Sequence, residues 1–356
     1  MTDVTRGCLV LADISGYTRY LAGVELEHSH DVLADLIGVV AGALRGPLDV
    51  AKLEGDAVFC VDRADAVDGD LLIKLVEGAY FAFSRRRRTI ENRTSCRCDA
   101  CRRIPELGLK LVAHHGSFVR HEVAGSAELV GPDVVLVHRL LKNSVVERTG
   151  AHGYSLLTDS SIARTGLEPT TLGLVRHVES YEDVGEIGGW VRDLEARWRE
   201  EDARKAVLVA PGEADVELER ELPATPASVW NELTDPRAQL SWRLAATRID
   251  SDAPPGGRGT GAVTHCVHGK QAFDQEILDW KPFSHYSYRE AGPAGTMLWS
   301  FELDPSGPDS THLSVRVAFT GGRVQRLAGP LIRRKIAQAF ADNLDALVAE
   351  LRERRD

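Results

Sequence analysis

Apolar positions in the first half of the chain switch between two periods. Gly7 to Ile14 is an almost unbroken apolar run, as expected of a buried strand, and it ends in the turn Asp13-Ile14-Ser15-Gly16. From Tyr17 the spacing becomes helical, with Leu21, Val24, Leu33, Leu36, Ile37 and Val40 on one face. Leu48 to Leu53 and Ala57 to Val61 are short apolar runs around Glu54-Gly55-Asp56, the pattern of a hairpin with an acidic, glycine-bearing turn. Leu71 to Arg88 reads as a helix, Leu109 to His115 and Ala127 to Val130 as strands, and Asp133 to Lys142 as a further helix. This alternation predicts an α+β architecture, a mixed sheet of ferredoxin-like plan with helices on one side.

The pattern changes at Ile187. Ile187 to Lys205 sets Trp190, Leu194 and Trp198 against many Glu and Arg, which predicts an amphipathic connecting helix, and the linker Val209 to Glu213 follows. Val216 to Leu222 then alternates as a strand, Pro226 to Leu233 opens a short helix, and several strands come after it. A long helix, roughly Arg326 to Glu350, closes the chain, with Leu327, Leu331, Ile336, Phe340, Leu344 and Leu347 as its apolar stripe. The expected organisation is a first domain over 1–186, a connecting segment over 187–212 and a second domain over 213–354.

Length and charge narrow the function classes. A chain of 356 residues exceeds one ordinary core, so two domains are expected. Hydrophobic residues at 43% and charged residues at 27% are the balance of a folded protein. A net charge of -10 argues against nucleic acid or an anionic membrane as partner, and the basic run Arg85 to Arg88 reads as a solvated helix end. Met1 to Arg6 lacks the features of a secretion signal and no apolar run reaches the ~20 residues that span a bilayer, so a cytoplasmic location is expected.

Asp13 and Asp56 each fall at a predicted strand end beside a glycine, Gly16 and Gly55, and a magnesium-triphosphate site needs two such oxygen anions on rigid backbone. Taken alone, an aspartate beside a glycine is more often a turn former. The flanking residues change the reading. Leu11-Ala-Asp13-Ile-Ser-Gly16-Tyr-Thr18 and Lys52-Leu-Glu-Gly55-Asp56 resemble the two metal-binding motifs of class III nucleotidyl cyclases. The resemblance implies that Asp13, the Ile14 carbonyl and Asp56 bind Mg²⁺ or Mn²⁺, and that Gly16, Tyr17 and Thr18 cradle the phosphates. Lys52 falls where adenylate-forming members carry the lysine that reads the purine, which favours ATP.

A third segment, Glu128-Leu-Val-Gly131 through Val135 to Arg139-Leu140, is similar to the family's run from a base-reading aspartate to a paired asparagine and arginine. It implies base reading by Glu128 and stabilisation of phosphate charge by Arg139. Val135 stands where the asparagine is expected, and valine can neither donate to nor orient a ribose. Asn143, one turn further on, is the candidate substitute. In this family the metal aspartates and the arginine come from different subunits, so a homodimer is implied. The resemblance covers Cys8 to Tyr154.

Cys96, Cys98 and Cys101 crowd into one loop, where three thiols come within reach of a structural Zn²⁺ that requires a fourth ligand, with His114 or His115 as candidates. The alternative is a reduced loop of reactive thiols. Residues 213–354 resemble the helix-grip fold of the START and polyketide-cyclase-like superfamily, a curved antiparallel sheet around the long C-terminal helix, which implies a cavity for a hydrophobic small molecule. Trp280, Phe283, Tyr286, Tyr288, Trp299 and Phe301 would line or plug that cavity, although at strand spacing such residues are more often plain core.

Three functions follow from these readings. The first is a metal-dependent cyclase that turns a nucleoside triphosphate into cyclic nucleotide and pyrophosphate, with a ligand-sensing second domain. The second is a nucleotide-binding or dimerising module without turnover. The third is a lipid or polyketide binder acting through the second domain.

Overall fold

A computed structural model describes residues 4–22, 24, 26–62, 64–93, 99–123, 126–253, 256–292, 295–320 and 329–354. The chain forms two compact units, Met1–Ala203 and Arg204–Asp356.

In the first unit, β1 (Val4–Ser15) is followed by the short α1 (Tyr17–Leu21) and by α2 (Leu26–Leu44). The hairpin β2 (Asp49–Glu54) and β3 (Ala57–Val61), then α3 (Gly69–Arg93), the short α4 (Asp99–Arg103) and β4 (Gly108–Val123), complete a βαββαβ core. Its sheet order is β2-β3-β1-β4, with every neighbour antiparallel. That is the ferredoxin-like plan of the cyclase-type fold the motifs imply. Beyond it lie β5 (Ser126–Val130), α5 (Pro132–Arg139), α6 (Val145–Thr149), β6 (Tyr154–Thr158), α7 (Asp159–Thr165), β7 (Val175–Tyr181), β8 (Gly185–Asp193) and α8 (Leu194–Ala203). β6 runs parallel to β4, and β8 and β7 extend the sheet beyond it.

Three expectations need correction. Helices cover both faces of this sheet: α2 and α3 pack on each other and on the strands, while Val134 and Val137 of α5 join Leu9, Leu11 and Phe59 in a separate cluster. Residues 187–193 belong to β8, so the amphipathic segment is a strand that leads into the ten-residue α8. That helix docks on α3 and is no free connector, because the Trp198 ring lies 5.5 Å from that of Phe81 and under the guanidinium of Arg88 at 5.1 Å. The basic run is likewise committed: Arg86 pairs with Asp35 at 2.7 Å and Arg88 with Asp202 at 2.9 Å, while burial lowers the Arg85 guanidinium to about 10.

The second unit is one antiparallel sheet gripping a helix. It comprises β9 (Val216–Leu222), α9 (Pro226–Thr234), α10 (Pro236–Trp242), β10 (Arg248–Ser251), β11 (Val263–His268), β12 (Gln271–Lys281), β13 (His285–Gly292), β14 (Gly295–Gly307), β15 (Ser310–Phe319) and α11 (Gly329–Glu353). The order β10-β11-β12-β13-β14-β15-β9 is a meander whose first strand returns beside its last. Thr225 caps α9 by accepting the Ser228 N–H, and Asp235 caps α10 by accepting from Arg237 and Ala238. In α11, Phe340, Leu344 and Leu347 are buried, whereas Leu331 is 64% exposed, so the apolar stripe is covered only along its C-terminal part. The predicted start of this helix at Arg326, and Leu327, lie outside the described residues. Among those described, no helix is long and apolar enough to cross a membrane.

Candidate functional site

The end of β1 and the β2–β3 turn place Asp13 and Asp56 side by side. Leu9, Leu11 and Asp13 share a face of β1; Asp13 lies opposite Ala57, and the Ile14 N–H donates to the Asp56 carbonyl at 3.2 Å. Gly16 and Gly55 both take left-handed conformations, φ 86° and 68°, which let the chain leave β1 and turn the hairpin without a Cβ penalty. Gly16, Tyr17 and Thr18 open α1 directly after the first aspartate. Burial, then the charge of Asp13, pushes the Asp56 carboxyl above its ordinary range. One cation already faces the pair: Lys110, across the β1–β4 ladder, holds Asp13 at 3.0 Å and donates to the Leu141 carbonyl at 3.1 Å.

Lys52 and Glu128 meet. The Lys52 ammonium donates to both Glu128 oxygens, at 2.7 and 2.8 Å, across the approach of β2 to β5, and this bond raises the lysine above its ordinary value. Both side chains remain about one-third or more exposed, at 44% and 34%. Two residues along β2, Glu54 pairs with His138 Nε2 at 2.7 Å, and the His138 ring packs edge-on to Phe59 at 5.1 Å. These contacts tie α5 to the hairpin.

Arg139 joins neither group; its guanidinium donates to Asp183 at 2.9 Å. Val135, one turn earlier on α5, is 53% exposed, so the two occupy one outward stripe of the helix. Asn143 does not replace the missing asparagine. Its amide donates to the Leu140 carbonyl, and its oxygen accepts from the Val145 N–H at 3.0 Å and the Tyr154 hydroxyl at 2.8 Å, which commits it to the entry of α6.

Of the thiol cluster, Cys96 and Cys98 lie outside the described residues, and Cys101 is buried on α4. His114 is buried, with Nδ1 against Thr158 and Ser160 and Nε2 against Asp133, and His115 pairs with Asp65 at 2.9 Å. Both imidazoles therefore have protein partners, on β6, α5, α7 and the segment after β3.

In the second unit a cavity of about 530 Å³ opens between the sheet and the N-terminal half of α11. Tyr288 and Trp299 line it, together with Met297 and Phe340. Phe283 and Phe301 do not: they pack in the core, Phe301 stacked on Tyr286 at 4.5 Å and Phe283 edge-on to Trp230 at 6.3 Å. The sequence reading missed one lining residue of a different kind, the buried Arg243 at the end of α10.

Comparison with known proteins distinguishes the same two regions. Residues 33–149 match a family described as a protein of unknown function (DUF2652), and residues 213–352 match the family described as polyketide cyclase / dehydrase and lipid transport. An uncharacterized protein of Mycobacterium tuberculosis is 36% identical over 116 residues, 32% of this chain and 52% of that protein, so the chain spans about half the length of that relative. Among solved structures, the guanylyl cyclase Cya2 is similar over 53% of this chain and 92% of its own, at 13% identity and a TM-score of 0.40. Protein MLL2253 from Mesorhizobium loti is similar over 40% of this chain and 98% of its own, at 22% identity and a TM-score of 0.32.

Proposed function

We propose that the N-terminal unit is a divalent-metal-dependent nucleotidyl cyclase that acts as a homodimer on a nucleoside triphosphate, ATP by preference, and that the C-terminal unit binds a hydrophobic small molecule that adjusts it. The observation that carries this reading is the meeting of Asp13 and Asp56 at adjacent strand ends. Two carboxylates with a main-chain carbonyl are hard oxygen donors of the kind that suits Mg²⁺ or Mn²⁺. Bound there, the ions supply charge neutralisation for the attack of the 3′-hydroxyl and for the leaving pyrophosphate.

The chain's own residues then divide the work. Asp13, Asp56 and the Ile14 carbonyl hold the metal end, with Lys110 keeping the Asp13 carboxylate in position. The main chain and hydroxyl of Gly16, Tyr17 and Thr18 hold the phosphates. Lys52 and Glu128 read the base edge, exchanging their mutual bond for bonds to it. Arg139 of the second copy stabilises charge on the phosphates. A structural Zn²⁺ on Cys96, Cys98 and Cys101 belongs to the same reading.

A second reading is a nucleotide-binding module without turnover. Val135 offers no hydrogen bond and Asn143 is committed elsewhere, so neither position presents an asparagine amide to a ribose. The deciding experiment incubates the full chain with Mn²⁺ or Mg²⁺ and each of ATP, GTP, CTP and UTP, beside an Asp13→Ala, Asp56→Ala double variant. A cyclic product that the double variant fails to make supports the cyclase. Nucleotide binding without product from any base supports the module.

A further inference from the structure

Arg243 is 6% exposed, yet among the described residues its guanidinium has no carboxylate in direct contact. It caps the C-terminal end of α10, where its N–H donates to the Gln239 carbonyl at 2.9 Å, and its side chain turns into the cavity wall. Its contacts are long ones: the Tyr288 hydroxyl at 3.5 Å, the Cys266 sulfur at 3.9 Å and the Trp242 ring at 5.5 Å. Among the described residues its Nε has no hydrogen-bond partner and no carboxylate stands within ion-pair distance. A guanidinium carries five donors in a planar fork, and a buried charge left uncompensated is costly.

Among the described residues no other charged group of the cavity reaches Arg243 within ion-pair distance. Glu290, on the same wall, interacts with the Arg243 charge at longer range; its carboxylate accepts the Gln275 amide at 2.7 Å, and burial pushes that carboxyl upward against both. Burial, then the Arg243 charge, lowers His268, which keeps the imidazole neutral, and Lys335 adds a second cation to the lining. Gln271 and Asn343 add neutral polar groups, and the rest of the wall is apolar, with Phe273, Met297, Trp299, Ile336 and Phe340. The cavity is thus an apolar pocket with a buried cationic end, of a volume ordinary for a small-molecule site.

We infer that this cavity takes an amphipathic monoanion, an apolar body ending in a carboxylate or similarly compact acid, and that Arg243 is the group that binds the acid. The inference rests on the reading of the C-terminal unit as a small-molecule binder and names the class of molecule. An acyl chain and an aromatic acid share this chemistry, and the bidentate fork of Arg243 suits either.

The test is calorimetric titration of the full chain with decanoate against 1-decanol, and with 2-naphthoate against 2-naphthamide, for the wild type, Arg243→Met and Arg243→Lys. The expected result is that at least one acid binds the wild type about tenfold or more tighter than its neutral counterpart. Arg243→Met should erase that preference while leaving the neutral compound's affinity unchanged, and Arg243→Lys should keep part of it. Whether decanoate or 2-naphthoate is preferred separates the two sources. Equal binding of acid and neutral compound by the wild type, or an acid preference that survives in Arg243→Met, overturns the inference and leaves the binder reading standing. If none of the four compounds binds, both fall. Thermal unfolding of the ligand-free variants supplies the control. If Arg243→Met melts lower and loses the neutral compounds too, Arg243 is a structural anchor and the inference is overturned.

Discussion

Each unit buries arginine side chains, and Arg192 and Arg243 are held in opposite ways. Arg192, on β8 and 8% exposed, donates to Glu77 of α3 through Nε at 2.8 Å and Nη2 at 2.5 Å, and to the Leu172 carbonyl at 2.8 Å. Arg243, equally buried, has a tyrosine hydroxyl, a thiol and an aromatic face, all at long range. The first guanidinium is satisfied by the fold and fastens a helix to a sheet. The second has no acid in direct contact among the described residues. Burial by itself therefore does not separate a structural charge from a functional one; the partner does.

The largest effect that would sharpen this contrast is at Glu77. Burial alone would raise its carboxyl, but the charges of Arg192 and Arg197 outweigh burial and hold it below its usual value. Glu77→Ala strands Arg192 without its acid and should cost about 3–5 kcal/mol in the urea unfolding of the N-terminal unit. Because the folded value is depressed, the stabilisation is present above the unfolded value of ~4.3 and is lost as pH falls through the folded one. The gap between wild type and Glu77→Ala should accordingly close in acid. A cost under about 1 kcal/mol would make the Arg192 pair no better than a surface bridge and would erase the contrast with Arg243.

A smaller effect, of opposite sign, is expected at Asp56. The Asp56 carboxyl is raised, so its favourable contribution is complete below the unfolded value of ~3.9 and is lost as pH rises through the folded one. At neutral pH the charge is a liability in the metal-free protein. Asp56→Asn should raise the metal-free melting temperature, by less than about 1 kcal/mol in stability once solvent screening is allowed for. Mn²⁺ should raise the melting temperature of the wild type and leave Asp56→Asn unmoved. An Asp56→Asn protein that melts lower without metal would mean that the pair is held together by the fold and carries no preference for a cation.

These sites were unequally legible in the sequence. Asp13, Asp56 and their glycines sit in turns whose chemistry is local, so the residues on either side announce them. The Lys52–Glu128 meeting joins residues 76 apart, and it came from motif resemblance and not from spacing. Lys110 could not be found that way, because its place opposite Asp13 depends on the register of two strands that are distant in sequence. The segment from Ile187 misled because Trp190, Val191, Leu194 and Trp198 recur at helical intervals. Gly188 and Gly189 carried the contrary signal, and Gly189 sits in the β6–β8 ladder opposite Thr158. Arg243 had no signal at all: an arginine after a tryptophan near a helix end looks like surface, and its burial against Cys266 of β11 and Tyr288 of β13 depends on strands distant in sequence.

The smallest effect on stability belongs to the Lys52–Glu128 pair, and it separates the two units most clearly in kind. Both side chains are partly exposed and long, so their bond contributes little to the fold and is easily traded for another partner. Lys52→Ala should leave the melting temperature of the N-terminal unit within error of the wild type while weakening the preference for ATP over GTP in binding or turnover. Glu128→Gln, which removes the acceptor charge and keeps the shape, should change base preference without moving the melting temperature. An unaltered base preference in both variants would remove the pair from the nucleotide site, and a large drop in melting temperature would place it with Glu77 and Arg192 among the charges the fold requires. Recognition by an exposed pair that gives up one bond for another needs no buried charge. On the reading proposed for the C-terminal cavity, Arg243 lacks a carboxylate in direct contact, among the described residues, until the ligand arrives, which is why the expected selectivity there is for charge and here for the edge of a base.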